Sequence, residues 1–295
     1  MLFSLQILKD SKHWFVDGTF KPTPSIFYQT YVIMAKQFGG VHPVIYALLP
    51  NKQQATYARM IGLVKDLQPG ASPEKISCDF ELGAINAFKE AFPNAELLGC
   101  FFHLVKNMKK HLAHMNLLSR YNTDADFSLQ ARMVTSLAFV PEGDLDDAID
   151  HLFDELPNEL HPLLEWFEDS YLGRPQRRGR RRRNALFPPT LWSVYNRVLD
   201  GTDRTNNHAE AAHRRLQNEM SMDHPTIWKY IDALKKIQSG RDLYYEQLLS
   251  GQQPPTKLKK YRDCDERIIL IVRDYRNRNI TEYLRAISHN YVMNA

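Results

Sequence analysis

The chain has 295 residues, of which 43% are apolar and 24% are charged, with 13 Gly and 16 Pro. This ordinary globular composition excludes a collagen, a coiled coil, an acidic tail and a disordered chain. The three cysteines, Cys78, Cys100 and Cys264, are too few for a disulfide scaffold, so we expect an intracellular, reducing environment. No run of about 18 apolar residues occurs, and the apolar stretch in residues 1–10 is too short for a signal sequence, so we expect a soluble protein.

The charge is distributed unevenly along the chain. Residues 1–170 carry 14 Lys and Arg against 21 Asp and Glu, whereas residues 171–295 carry 24 against 13. The densest basic stretch, here called the Arg-rich loop, contains Arg177, Arg178, Arg180, Arg181, Arg182 and Arg183. Such a cluster is typical of a segment that contacts nucleic-acid phosphates or an import receptor, and the alternative is a solvated surface loop.

The first 116 residues alternate between strand and helix patterns. The predicted elements are strands at 13–16, 27–34 and 41–49, a helix at 55–67, and then alternating strands and helices at 75–79, 82–92, 95–102 and 104–116. Three consecutive strands indicate an antiparallel meander, and the crossovers that follow should extend the sheet in parallel. The order therefore predicts a mixed α/β sheet.

Beyond residue 118 the strand patterns stop and helical periodicity remains. Helical segments are predicted at 127–139, 144–156, 159–171, 206–220, 226–250 and 265–289. The first three of these segments precede the Arg-rich loop and form a helical insertion after the α/β region.

Asp17 closes the first predicted strand, where an ionised carboxylate is costly unless a cation or several donors compensate for its charge. The alternative is a hairpin turn, because Asp-Gly between apolar flanks is the strongest short hairpin signal. Pro22 and Pro24 argue against this turn, since they would interrupt its second arm.

Asp79 closes the fourth predicted strand, as Asp17 closes the first. The alternative is that Asp79 caps the helix that begins near residue 80. If the two strands are neighbours, the carboxylates of Asp17 and Asp79 emerge at the same edge of the sheet and can share a divalent cation.

Two-metal phosphoryl chemistry needs a third acid, and the best candidate is Glu210. The inward stripe of its predicted helix consists of Ala209, Ala212, Leu216 and Met220. This leaves Glu210 and His213 at the side of the helix, with Asn206 one turn earlier. The alternative is a capping box in which Asn207 bonds forward and Glu210 reaches back.

Cys100 and His103 close the fifth predicted strand with the spacing of half a tetrahedral zinc site, which His111 and His114 could complete. Zinc is nevertheless disfavoured, because structural sites usually bring a second tight Cys/His pair and buried thiols are common in strands. We expect His103 to orient a carboxylate or a phosphate instead. The sequence contains no Gly-rich phosphate loop, nucleophile elbow or His-Glu-x-x-His helix, which excludes the commonest kinase, esterase and metalloprotease types.

Five motifs occur in an order that resembles the Mutator-like element (MULE) transposase domain over roughly residues 12–220. They are Asp17-Gly-Thr-Phe-Lys21, Tyr46-Ala-Leu-Leu-Pro50, Ser77-Cys-Asp-Phe-Glu81, Gly99-Cys-Phe-Phe-His103 and Thr205-Asn-Asn-x-x-Glu210. The resemblance implies a ribonuclease H-like mixed sheet, with an all-helical insertion before the last acid and further helices at the C-terminus.

The resemblance also implies a DDE site in which Asp17, Asp79 and Glu210 hold two Mg²⁺ or Mn²⁺ ions. The Cys100/His103 motif would lie nearby, and Trp192 would lie in the approach to the helix of Glu210. The four implied segments are the first part of the catalytic core (1–117), the helical insertion with the Arg-rich loop (118–200), the core helix with the third acid (201–222) and a C-terminal helical region (223–295).

The implied activity is metal-dependent cleavage and transfer of DNA strands at transposon ends, in the nucleus. The implied partner is double-stranded DNA, at the transposon ends and the target. No membrane is implied as a partner, and a homo-oligomer is left open. Basic groups of the later half would bind backbone phosphates without reading the sequence: the Arg-rich loop, Lys235, Lys236, Lys257, Lys259 and Lys260.

Two other functions stay open. One is a domesticated DNA-binding or regulatory protein that derives from a transposase and lacks catalysis, and the other is a structure-selective nuclease of the same fold. Relatives commonly carry a zinc-dependent DNA-binding module ahead of the catalytic domain, whereas no Cys/His cluster precedes Asp17. We therefore expect a fragment, a chain that reaches its target by another route, or a domesticated copy.

Overall fold

The computed structural model describes residues 2–174, 182–205 and 207–291. Its helices and strands are, in chain order, α1 (Leu2–Asp10), β1 (His13–Thr19), β2 (Gln29–Gln37), β3 (Gly40–Leu49), α2 (Gln54–Leu67), β4 (Lys75–Cys78), α3 (Leu82–Ala91), β5 (Glu96–Gly99), α4 (Phe101–His114), α5 (Leu118–Thr123), α6 (Ala125–Ser136), α7 (Leu145–Glu155), α8 (His161–Phe167), α9 (Pro189–Trp192), α10 (Tyr195–Leu199), α11 (Asn207–Met220), α12 (Ile227–Leu249), α13 (Lys259–Arg273) and α14 (Ile280–Ser288). Among these helices, none is both long and apolar enough to cross a membrane.

The chain forms two compact units. The first consists of Met1–Leu98 and Asn206–Thr256, and the second of Gly99–Thr205 and Lys257–Ala295. All three acids that the sequence nominates belong to the first unit, whereas the Cys100/His103 motif, Trp192 and the Arg-rich loop belong to the second.

The first unit is built on a five-stranded mixed sheet with the strand order β3-β2-β1-β4-β5. Strands β1, β2 and β3 form the antiparallel meander that the sequence predicts. The chain then passes through α2 and returns as β4, which pairs in parallel with β1. The predicted mixed α/β class is therefore confirmed.

Helices α2 and α3 cover one face of this sheet. Because side chains alternate along a strand, Trp14 and Tyr31 point to this face. The ring of Trp14 packs edge-on against Phe92, just beyond α3, with ring centroids 5.3 Å apart. Tyr31 contacts Tyr57 of α2 and Phe88 of α3. All of these aromatic side chains are buried, so they form the core between the sheet and the two helices.

Helix α11 covers the opposite face. Phe15, Val32 and Met34 from β1 and β2 form a buried cluster with Ala209 and Ala212 of α11. The small alanine side chains allow the helix to lie close to the strands. The buried side chains Leu216, Met220, Tyr230, Ala233 and Ile237 continue this core between α11 and α12.

The second unit is predominantly helical, and α14 packs into it near α6. The hydroxyl of Tyr283 in α14 donates a hydrogen bond to the carbonyl of Phe139, just beyond α6. Nε of Arg132 in α6 donates to the carbonyl of Ser288 at 3.1 Å. The last helix of the chain is therefore anchored to the helical stretch that the sequence assigns to an insertion.

Two local interpretations of the sequence are wrong. The hairpin alternative for Asp17 fails because β1 continues through Gly18 to Thr19 and pairs with β2 from Trp14 to Thr19. The fifth strand also ends earlier than predicted, at Gly99, and α4 begins at Phe101. The buried residues of α4, which are Phe101, Leu104, Val105, Met108 and Leu112, have helical spacing, and this spacing prevails over the β-propensity of the aromatic pair at its start.

Candidate functional site

Asp17 and Asp79 lie at the same end of two neighbouring parallel strands. Asp17 lies in β1, and Asp79 is the first residue after β4. Phe15 of β1 is paired with Ser77 of β4. The same register, extended by two residues, brings Asp17 alongside Asp79, and neighbouring strands are about 4.8 Å apart. The first and fourth strands are therefore neighbours, which is the condition under which the two carboxylates are expected to emerge at the same edge.

Asp17 is almost completely buried, with 5% of its surface exposed. Its Oδ1 accepts a hydrogen bond of 2.9 Å from the backbone N–H of Gly18. Its Oδ2 lies 3.8 Å from Nδ1 of His213 on α11. A side chain at Gly18 would collide with Gln29, because a Cβ there would lie 2.4 Å from Oε1 of Gln29. The backbone beside Asp17 is therefore tightly enclosed, and the carboxylate of Asp17 lies close to the imidazole of His213.

Asp79 has one carboxylate oxygen, Oδ1, that is buried and lacks a hydrogen-bond partner. Burial, and then the charge of Glu81, raise the pKa of Asp79 to about 6, although Lys52 and backbone hydrogen bonds act in the opposite direction. The capping interpretation of Asp79 is wrong, because Glu81 occupies the N-cap position of α3. A buried carboxylate oxygen without a partner is unfavourable, which is typical of a functional site that a ligand completes.

Glu81 is the centre of a hydrogen-bond network that sequence reasoning missed. Nζ of Lys52 donates to its Oε2 at 2.5 Å, and the hydroxyl of Tyr57 donates to its Oε1. Nε2 of Gln29 in turn donates to the hydroxyl oxygen of Tyr57 at 2.5 Å. Burial and the hydrogen bond with Glu81 raise the pKa of Tyr57. The network links β2, α2 and the start of α3. No spacing pattern in the sequence predicts it.

Replacing Tyr57 with Phe should lower the free energy of unfolding by about 1–3 kcal/mol, because Glu81 and Gln29 each lose a buried partner. Urea denaturation followed by tryptophan fluorescence would measure the change. Tyr28→Phe is the matched control, since Tyr28 is 53% exposed in the same unit. Equal stability of the two variants would show that the network contributes nothing to folding.

Helix α11 brings the segment of Glu210 to the face of the sheet on which Asp17 lies. Ala209 and Ala212 are buried against β1 and β2, which confirms the predicted inward stripe. Glu210 lies at the side of the helix, partly exposed, with its Oε2 3.4 Å from Nη2 of Arg214. His213, which contacts Asp17, is three residues further along, and residues three apart on a helix are neighbours.

Carboxylate oxygens are the ligands that Mg²⁺ and Mn²⁺ prefer, so the donor atoms of Asp17, Asp79 and Glu210 suit these cations. The unpartnered Oδ1 of Asp79 is an atom that a bound cation would satisfy. Across residues 2–174, 182–205 and 207–291, however, no group of three or more His, Cys, Asp or Glu side chains is arranged to hold a metal ion. The three acids therefore do not form a ready-made set of three ligands.

The Cys100/His103 motif occupies the start of a helix in the second unit. Cys100 is buried at the N-cap position of α4, and His103 lies in the first turn, so neither residue closes a strand as predicted. His111, nominated as an additional zinc ligand, stacks on the ring of Trp166 with centroids 4.7 Å apart.

Trp192 is a core residue of the second unit. Its indole N–H donates to the carbonyls of Tyr171 at 2.7 Å and Phe187 at 3.1 Å, and only 1% of its surface is exposed. The ring also packs edge-on against Phe167. Asn206, the other auxiliary residue nominated by the sequence, lies outside the described residues.

The Arg-rich loop is only partly described: Arg177, Arg178, Arg180 and Arg181 lie outside the described residues. Arg182 donates hydrogen bonds of 2.6 Å to Asp146, Glu168 and the carbonyl of Gly173. Its guanidinium is therefore engaged by carboxylates of its own unit, whereas Arg183 is exposed.

One comparison with known proteins covers part of the chain that contains these residues. Residues 13–107 match the family model of the MULE transposase domain, which confirms the resemblance for that segment. The segment contains Asp17, Asp79, Cys100 and His103, and it ends before Glu210. No match was found among curated proteins. The domain match indicates a transposase-related function and an interaction with DNA.

Proposed function

We propose that the protein is a DDE transposase of the Mutator-like class, which cleaves and transfers DNA strands at transposon ends in the nucleus with Mg²⁺ or Mn²⁺. The observation that carries the proposal is the parallel pairing of β1, which contains Asp17, with β4, which Asp79 follows, within the segment that matches the transposase domain. The antiparallel meander followed by a parallel strand supports a ribonuclease H-like fold for the first unit.

Asp17, Asp79 and Glu210 would hold the cations. When bound, two cations would stabilise the attacking and leaving oxygens of an in-line displacement at phosphorus. The N–H of Gly18 and the imidazole of His213 orient the carboxylate of Asp17. Glu210 is restrained by an exposed ion pair with Arg214, and such pairs contribute little stability, so it is available as a ligand.

Glu81 supports Asp79 through the chain that joins them. Lys52 and Tyr57 fix the carboxylate of Glu81, two residues after Asp79, and so restrain the turn between β4 and α3. The negative charge of Glu81 also disfavours a second anion at Asp79 in the absence of a cation. A bound divalent cation would relieve this repulsion.

A nicking and strand-transfer assay with the full chain tests the proposal. With supercoiled plasmid DNA, we expect nicked product in Mn²⁺ and Mg²⁺ and none in EDTA, because the acids act through the cation. Joining of a labelled oligonucleotide 3′-hydroxyl to the plasmid would distinguish a transposase from a nuclease. Cleavage that proceeds undiminished in EDTA would refute the metal-dependent assignment.

The second candidate function is a transposase-derived DNA-binding protein without catalysis. It is favoured by the observation that the described side chains contain no three-residue metal group. This candidate predicts that the protein binds DNA but produces no nicked or joined product with any divalent cation. The same assay, combined with a measurement of DNA affinity, therefore decides between the two functions.

A further inference from the structure

A basic groove lies between the edge strand β3 and helices α11 and α12 of the first unit. It has a volume of about 310 Å³. The residues that line it are Val41, Pro43, His208, Ala211, Ala212, Arg215 and Arg241. The wall is therefore apolar except for two guanidinium groups and one imidazole.

Among the described residues, neither arginine of the groove forms an ion pair with a carboxylate. The ion pairs that the described residues of α11 and α12 form engage Arg214, Lys235 and Lys236. Arg215 and Arg241 take part in none of them. Nε of Arg241 is moreover buried without a hydrogen-bond partner. A buried guanidinium N–H without an acceptor is unfavourable, and an anion in the groove would supply the acceptor while the exposed guanidinium of Arg215 adds a second positive charge.

The charges of both arginines act on Tyr46, and the charge of Arg241 also acts on His42. Burial raises the pKa of Tyr46, whereas Arg241 and then Arg215 lower it. Burial lowers the pKa of His42, and the charges of Arg241 and His208 lower it further. The positive charges therefore converge at this edge of the sheet.

The groove and the third acid lie on different sides of α11. His208, Ala212 and Arg215 follow one another at spacings of four and three residues, so they form one stripe along the helix. At 100° per residue, Glu210 and His213 lie on the other side of the buried stripe. A ligand in the groove would therefore be held by the same helix that carries Glu210, but away from the carboxylates.

We propose that this groove binds a backbone phosphate of double-stranded DNA, with Arg215 and Arg241 as the donors. This inference rests on the proposed function, because that function identifies DNA as the anion that the groove binds. Guanidinium groups match phosphate oxygens with two parallel hydrogen bonds, and the apolar wall accommodates the adjoining sugar. Because the groove is separated from the acids by the width of the helix, the bound phosphate is not the one that reacts.

The test measures the affinity of the full chain for a fluorescent 30-base-pair duplex in EDTA. Arg215→Gln and Arg241→Gln should each weaken binding by about tenfold and reduce the slope of log affinity against log salt by about 1. Lys229→Gln is the matched control, because Lys229 is an exposed residue of the same helix α12 and carries the same charge. It should change the affinity by less than about twofold. Arg241→Lys should recover only part of the affinity, because it keeps the charge without the planar fork.

Losses of affinity no larger than that of Lys229→Gln, in variants that melt at the wild-type temperature, would overturn the proposal. A variant with both Arg215 and Arg241 replaced would also overturn the proposal if it bound DNA normally but its melting temperature no longer rose with inorganic phosphate. The groove would then hold a small free phosphate compound rather than DNA. DNA nicking, measured at a saturating DNA concentration, distinguishes a failure of the groove proposal from a failure of the proposed function. Arginine variants that bind weakly yet nick at the wild-type rate support the groove, whereas a wild-type protein that binds DNA without nicking refutes only the catalytic assignment.

Discussion

Replacing Asp79 with Asn should reduce Mn²⁺-dependent DNA cleavage by about 10³-fold or more, which is the scale of removing one group that stabilises charge in a transition state. The reason is that Asn keeps the shape of the side chain but loses the negative charge that a divalent cation requires. DNA affinity in EDTA should stay within about twofold of the wild type, since Asp79 carries a negative charge and does not bind phosphate.

The control for this variant is Asp66→Asn on α2. Asp66 is an exposed acid of the same unit, so its replacement makes the same change of charge and atom type at the surface. Asp17→Asn should resemble Asp79→Asn, because in the proposed site both carboxylates hold the cations. Glu210→Gln then tests whether the third ligand comes from α11. Cleavage by Asp79→Asn at the rate of Asp66→Asn would eliminate the proposed site.

The parallel pairing of β1 with β4 could be predicted in outline from the sequence because two simple rules apply. Three consecutive strands form a meander, and a strand that follows a helical crossover joins the sheet in parallel. That Asp17 and Asp79 share a cation at this edge of the sheet stays a prediction. The inward stripe of Ala209 and Ala212 was equally predictable, because helical periodicity depends on spacing alone.

The features that escaped prediction depend on tertiary contacts. The approach of His213 to Asp17, the network around Glu81 and the convergence of Arg215 with Arg241 each join distant segments, and no short-range pattern encodes them. The boundary at Cys100 failed for a different reason. The aromatic residues that follow it suit a strand as well as a helix, and only burial of the longer helical stripe decides between the two.

In the absence of divalent cations, the stability of the protein should depend on the ionisation of Asp79. The pKa of this carboxyl is raised from 3.8 to about 6 in the folded state, chiefly by burial and then by Glu81. Folding therefore favours the protonated form. The stability contributed by this group is fully present below about pH 4 and is lost as the pH rises through about 6. A shift of about two units corresponds to at most about 3 kcal/mol.

Asp79→Asn should remove this loss, because its amide does not ionise. In EDTA at pH 7.5, a condition chosen to lie about one unit or more above the pKa of Asp79, the variant should be more stable than the wild type by up to about 3 kcal/mol. At about pH 4 the difference should disappear. Distant titrating groups contribute equally to the free energies of unfolding of both proteins, so their contribution cancels in the difference. Urea denaturation across this pH range, with Asp66→Asn as control, measures it.

Added Mn²⁺ should reverse the order of stability. A cation that binds only the folded wild type stabilises it by about 2.7 kcal/mol at a hundred times its dissociation constant, and the Asn variant should gain much less. A side chain that destabilises the empty protein but stabilises the loaded one is retained for binding, because packing alone would favour its replacement. If the wild type is the more stable protein in EDTA at pH 7.5, or if Mn²⁺ stabilises both proteins equally, Asp79 serves the fold and the metal assignment fails.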